Sequence, residues 1–192
     1  IELGKHESEY KGQKKTRPEV AMVFELLGKR HPPVEIDGVK YPQRITIREG
    51  LSLNEKARFF KLFGIMNWQG KATHMAELLL APFAATVVHR EYVSNGEKRV
   101  AAELFDRAAG SYTVRPARTP VIDQETGEET GEYRSIAVPA AIGSEQLFLW
   151  DSPDMDQWAS SFIAGEYEER KDKDGKVVAP ARSKNRWQET IK

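Results

Sequence analysis

The chain has 192 residues, 40% of them apolar and 30% charged, and its 29 Lys and Arg balance 29 Asp and Glu. That composition describes a soluble globular chain with room for one domain and a long extension, and it excludes a disordered or membrane-embedded polypeptide. Cysteine is absent, so disulfides, thiolate nucleophiles and zinc–cysteine sites are excluded together, as suits a reducing cytoplasm.

The neutral total hides an uneven distribution. Residues 1–120 hold 20 Lys and Arg against 14 Asp and Glu, whereas residues 121–192 hold 9 against 15. A basic, β-rich segment followed by an acidic one suits a protein that holds single-stranded nucleic acid. The longest apolar run, residues 78–88, is too short to span a bilayer, and no secretory signal is expected at the start.

Residues 3–10 alternate loosely and predict a first strand, followed by a flexible basic loop, Lys11-Gly12-Gln13-Lys14-Lys15. Residues 20–27 are the clearest strand. Val20, Met22, Phe24 and Leu26 should face a core and Glu25 should point outward. Gly28, Pro32 and Pro33 end it. The next strand spans 41–48, with Ile45 and Ile47 inward and Arg44, Thr46 and Arg48 on the other face.

Ser52 and Glu55 have the spacing of a capping box for a helix over 53–66. Its buried stripe is expected at Leu53, Ala57, Phe60 and Phe63, with Lys56, Arg58 and Lys61 outside. Residues 74–80 predict a short second helix that Pro82 stops. Residues 84–92 and 98–105 follow as strands joined through Asn95-Gly96, a pair that favours a tight hairpin.

Beyond Gly110 the pattern loosens. Residues 136–138 and 146–150 are candidate short strands, and Ser152-Pro153-Asp154 opens a helix to about residue 164. Phe148, Trp150, Trp158 and Phe162 should anchor this part, and 166–186 reads as a charge-rich connector.

Five strands with a helix between the third and fourth is the order of the OB-fold, a small five-stranded Greek-key barrel. The expectation is therefore a mainly β chain: an OB-like barrel over residues 1–110, with an irregular α/β, acidic extension over 111–192 packed on it. In such barrels the ligand crosses the second and third strands between the first and last loops. That path gathers Lys14, Lys15 and Arg17 from the first loop and Arg44 and Arg48 from the third strand. Arg90, Tyr92, Lys98 and Arg99 would lie near the other edge, with Tyr41 and Tyr92 placed to stack bases.

Catalytic signatures are missing. The sequence has no phosphate-binding glycine loop and no nucleophile elbow, and His6, His31, His74 and His89 lack metal-site spacing. Asp151, Asp154 and Asp156 lie beside a Ser-Pro helix start, where aspartates cap. No enzyme activity, cofactor or metal is expected.

Two blocks carry a resemblance. The stretch Ile45-Thr46-Ile47-Arg48-Glu49-Gly50-Leu51-Ser52-Leu53-Asn54-Glu55-Lys56-Ala57, preceded by 20–27, looks like a group of small tailed-bacteriophage proteins. Leu149-Trp150-Asp151-Ser152-Pro153-Asp154-Met155-Asp156-Gln157-Trp158-Ala159 resembles a second block of that group. The group is similar to phage single-stranded DNA-binding proteins. The resemblance implies an OB-fold and sequence-independent binding of single-stranded DNA in phage DNA replication or recombination, in the host-cell cytoplasm. Single-stranded DNA and phage or host replication proteins are the implied partners, a homo-oligomer is compatible with it, and no membrane is involved. Many such proteins end in an acidic tail that recruits partners. Here the last residues are Gln188-Glu189-Thr190-Ile191-Lys192, so either the natural chain continues or recruitment uses another surface. The alternative is a phage structural or host-interaction protein that binds another protein through the barrel edge.

Overall fold

A computed structural model describes residues 1–10, 12–36, 38–94 and 96–191, apart from the side chains of Ser8 and Tyr10. Lys11, Asn95 and Lys192, which entered the loop, hairpin and tail expectations, lie outside the described residues. The chain is mainly β. Strands β1 (Glu2–Tyr10), β2 (Gln13–Leu26), β3 (Val34–Ile36), β4 (Val39–Tyr41) and β5 (Gln43–Gly50) come first. β1, β2 and β5 form one sheet in the order β1-β2-β5, and β3 pairs with β4. After helix α1 (Arg58–Met66) come β6 (Phe83–Ala84), β7 (Val88–Ser94), β8 (Glu97–Glu103), β9 (Phe105–Asp106), β10 (Ser111–Tyr112), β11 (Arg115–Pro116), β12 (Arg118–Ile122) and β13 (Glu129–Ser135). These pair antiparallel as β7 with β8, β9 with β10, β6 with β11 and β12 with β13. Among the described residues these ladders close no barrel. No described helix is long and apolar enough to cross a membrane.

The chain divides into two units, and not at residue 110. Residues 1–22, 48–51 and 145–192 form one, and 23–47 and 52–144 form the other. The first carries 14 Lys and Arg against 15 Asp and Glu, the second 15 against 14. The contrast between a basic front and an acidic back therefore does not survive folding, because the acidic end of the chain joins its beginning.

In the first unit β2 starts at Gln13 rather than Val20. Its pairing with β1 runs from Glu2 opposite Val20 to Tyr10 opposite Gln13, with Lys14 facing Glu9. Opposite charges across the ladder favour that extension up to Gly12, whose φ of 76° suits glycine. The expected loop is thus strand. Leu3, Val20, Ala21, Met22, Phe148 and Trp187 are buried. Glu2 ties the chain's start to its end: its N–H donates to the Phe148 carbonyl (2.8 Å) and its carboxylate accepts the Trp150 N–H (2.7 Å). Of the four expected anchors, Phe148 and Trp158 meet edge to face at 5.6 Å, while Trp150 and Phe162 are exposed.

Helix α2 (Met155–Ser160) is shorter than expected. Asp154 caps it by accepting the Gln157 N–H (2.7 Å). Ser160 and Ser161 end it by donating their hydroxyls to the carbonyls of Gln157 and Trp158 three residues back, local bonds that compete with another helical turn. Residues 136–138 and 146–150 are not strands. The supposed connector contains β14 (Glu166–Tyr167), β15 (Arg170–Lys171), β16 (Val177–Ala179) and β17 (Arg182–Ser183), paired β14 with β17 and β15 with β16, and then α3 (Arg186–Thr190).

In the second unit Ile45 and Ile47 are buried as expected, together with Leu104, Tyr112 and Val114. Tyr41 does not belong to that strand. Pro42, which has no N–H to donate, interrupts it, and Tyr41 pairs with Val34 in the β3–β4 hairpin. Glu25 does not point into solvent either. Its carboxylate accepts Arg44 (2.9 Å) and the N–H groups of Ile142 (2.9 Å) and Gly143 (3.1 Å).

Helix α1 starts later than the capping-box spacing predicts. The Ser52 hydroxyl accepts the Asn54 N–H and the Asn54 side chain accepts the Lys56 N–H, so residues 52–56 spend their amides on turns. The buried stripe is Phe59, Leu62 and Met66 rather than Leu53, Ala57, Phe60 and Phe63, and Leu53 is 75% exposed. A capping arrangement does form at the short 3-10 helix Met75–Leu78: the His74 side chain accepts the Ala76 N–H and Glu77 accepts the His74 N–H.

Candidate nucleic-acid interface

The expected binding residues fall in both units. In the first, Lys14 and Lys15 are exposed on β2, opposite Glu9 and Ser8. Arg17 and Arg48 converge on one carboxylate. Glu19 Oε1 accepts Arg17 Nε at 3.2 Å and Oε2 accepts Arg48 Nε at 2.6 Å. Burial pushes the Glu19 carboxyl up, but the hydrogen bonds from Arg48 and Arg17 outweigh it and hold Glu19 below the usual carboxylate range.

In the second unit Arg44 is held by Glu25, and Tyr41 is half exposed on its hairpin. The β7–β8 register places Tyr92 opposite Arg99 and Arg90 opposite Ala101, so Arg90, Tyr92 and Arg99 share a face. Lys98 is opposite Val93 and belongs to the other face. On the shared face Arg90 donates to Glu103 (2.7 Å) with its guanidinium 5.1 Å from the Tyr92 ring centroid, and Arg99 donates to Glu97 (3.1 Å). The Arg90 hydrogen bond, with that of Arg107, outweighs burial and holds Glu103 below the ordinary range. Each expected arginine thus has a glutamate partner. Such pairs leave less net charge for phosphates than the sequence suggests, because a bound carboxylate already fills part of each guanidinium.

A different cluster fits the chemistry better. The Arg118 guanidinium lies between two rings, 4.1 Å from the Trp68 centroid and 4.0 Å from that of Tyr133. Both rings are about half exposed, Trp68 46% and Tyr133 50%. Their support is local. Asn67 closes the loop after α1 by donating to the Ala72 carbonyl (2.7 Å) and accepting the Ala72 N–H (3.0 Å), with Gly70 at φ 66° between them. Tyr133 comes from β13, where it sits opposite Pro120 and therefore diagonal to Arg118 on β12. Asp123 turns this hairpin by accepting the N–H groups of Glu125 and Thr126 (both 2.8 Å). The sequence did carry a signal for the hairpin, namely Asp123 followed by Thr126-Gly127, but nothing in it linked Trp68 to either strand.

Chemically, two partly open π-faces and a stacked guanidinium suit flat, weakly polar rings on an anionic chain. No protein-family model matches the chain, no curated protein is similar to it, and no solved structure matches its fold.

Proposed function

We propose that this protein binds single-stranded DNA without reading its sequence and without catalysis, through the unit formed by residues 23–47 and 52–144. The observation that carries the reading is Arg118 stacked between the half-exposed rings of Trp68 and Tyr133. Every base has a π-face, so such a platform holds any sequence, and in a duplex those faces are already stacked on one another. The Arg90–Tyr92 pair is a second element of the same kind. Within residues 1–110 the order of the longer elements, β1, β2, β5, α1, β7, β8, supports an OB-like barrel as the underlying architecture. With the resemblance of its two sequence blocks, this favours a role in phage DNA replication or recombination in the host cytoplasm.

The test is fluorescence anisotropy with labelled oligo-dT and a duplex of equal length at two salt concentrations. Single strands should bind more tightly, and Trp68→Ala should weaken them about tenfold, as expected for a lost base stack. Because most of the sheet arginines are paired, roughly three phosphates should be neutralised, giving a log–log salt slope of about −2. Equal affinity for duplex, or no binding at low salt, sinks the proposal.

One observation favours a second reading. Val34, Ile36, Val39 and Tyr41 are cross-strand partners on the β3–β4 hairpin and each is about half exposed. An apolar hairpin that forms a sheet of two strands among the described residues suits contact with another protein. Loss of a co-purifying or cross-linked partner in Tyr41→Lys, with oligo-dT binding absent from the wild type, would favour it.

A further inference from the structure

The other unit, formed by residues 1–22, 48–51 and 145–192, carries a cation–aromatic cluster of its own. Tyr167 on β14 sits opposite Arg182 on β17 and is 49% exposed. The Arg182 guanidinium lies 5.1 Å and the Lys184 ammonium 5.5 Å from its ring centroid. Among the described residues neither cation has a carboxylate partner, unlike the sheet arginines held by glutamates.

The backbone holds this arrangement in place. The Gly165 carbonyl accepts the Lys184 N–H (2.9 Å), and a Cβ on Gly165, whose φ is 93°, would lie 3.5 Å from Lys184 Cδ. The lysine stem therefore runs beside the glycine on its way to the ring. Asn185 fixes the next position by accepting the Ile163 N–H (3.2 Å) and donating to Gln188 (2.9 Å). Of the nearby carboxylates, Glu166 sits opposite Ser183 and so belongs to the other face of the ladder, and Glu169 is taken by Lys171 (3.1 Å). A cation resting against a π-face is attracted by the ring, but its N–H donors stay open to phosphate oxygens.

The geometry points to a second station for single-stranded DNA on this unit, with one base stacked on Tyr167 and the adjoining phosphates at Arg182 and Lys184. It rests on the single-strand reading and extends it to the unit which that reading leaves out. A half-open ring offers a face to a base of any identity, and two cations without carboxylates match an anionic backbone. An acidic peptide would answer the cations but leave the ring face bare.

The experiment titrates labelled oligo-dT, and an abasic strand of the same length, into the full-length wild type and four variants. These are Tyr167→Leu, Tyr167→Phe, the double variant Arg182→Gln with Lys184→Gln, and Lys173→Gln, which removes an exposed charge outside the cluster. Thermal melts accompany each. Tyr167→Leu should weaken oligo-dT about tenfold and leave the abasic strand unaffected, whereas Tyr167→Phe, which keeps the π-face, should bind like wild type. The double variant should weaken both strands and flatten the log–log salt slope by about 1.4, with Lys173→Gln leaving the slope unchanged. That comparison decides the matter if Tyr167→Leu melts early. An unaffected Tyr167→Leu, or equal slopes in the double variant and Lys173→Gln, overturns the station and leaves the Trp68–Arg118–Tyr133 stack standing. An equal penalty on the abasic strand overturns the stacked base and makes the cluster a site for an anionic chain such as an acidic peptide. No wild-type binding at all overturns both the station and the single-strand reading.

Discussion

Glu25 is the residue whose loss should be felt furthest from its own position in sequence. Its carboxylate holds Arg44 and two consecutive backbone N–H groups, at Ile142 and Gly143, over more than a hundred residues of chain. Its side chain is 15% exposed and that of Arg44 34%, so the ion pair itself contributes little, about 0.5 kcal/mol. The two N–H groups matter more. Bonds to a charged acceptor contribute about 1.5–3 kcal/mol each, and the low end applies where water can reach the loop, so Glu25→Ala should cost about 3 kcal/mol. In a chain of this size that lowers Tm by about 6–12 °C. Glu25→Gln, which keeps one carbonyl acceptor, should lose about half as much.

Gly143 supplies the internal check. A Cβ there would fall on the Arg44 guanidinium and the Glu25 carboxylate, so Gly143→Ala must displace the pair. Once Glu25 is gone Arg44 is released and can move aside, and the same alanine should then be nearly harmless. Thermal or urea melts of the two single variants and the double should give a coupling of about 1–2 kcal/mol. Additive costs, or a neutral Gly143→Ala, would refute the argument that Glu25, Arg44 and Gly143 form one unit.

Three further outcomes follow from the packing. Glu19 has a folded pKa below its unfolded value of about 4.3, so its stabilisation is present above that value and is lost as pH falls through the folded pKa. The stability gap between wild type and Glu19→Gln should therefore narrow from about pH 7 to about pH 3, and a gap independent of pH contradicts the Arg17–Glu19–Arg48 arrangement. Phe59→Ala should cost about 3–5 kcal/mol and the half-buried Phe60→Ala clearly less, and equal losses in urea melts would mean that α1 presents another face. A fragment of residues 1–110 loses Phe148, Trp187 and the Trp150 bond to Glu2, leaving Leu3 and Val20 to Met22 uncovered, so it should aggregate on size exclusion. A monomeric fragment with a cooperative melt would refute that.

The sequence by itself determined the elements whose signals are local. Ile45 and Ile47 alternate with Arg44, Thr46 and Arg48, and period two is enough to assign their faces. Strands β7 and β8 fall within a few residues of the expected 84–92 and 98–105, and Asp154 caps α2 because a side chain reaches only a few residues. Tertiary structure alone decided what depends on distant partners. Lys14, Lys15 and Arg17 became strand because β1 pairs with them, and Arg17, Arg44, Arg48, Arg90 and Arg99 each met a glutamate that sequence spacing could not assign. The start of α1 slipped because Ser52 and Asn54 bonded their neighbours' amides, which moved the buried stripe by one position. The Trp68–Arg118–Tyr133 stack was illegible for the same reason: its members lie far apart in sequence and meet only when a closed loop and a hairpin are brought together. Charge was the deepest case. A chain basic at its front and acidic at its back folds into two nearly neutral units, because long-range pairing, not order along the chain, decides which charges are neighbours.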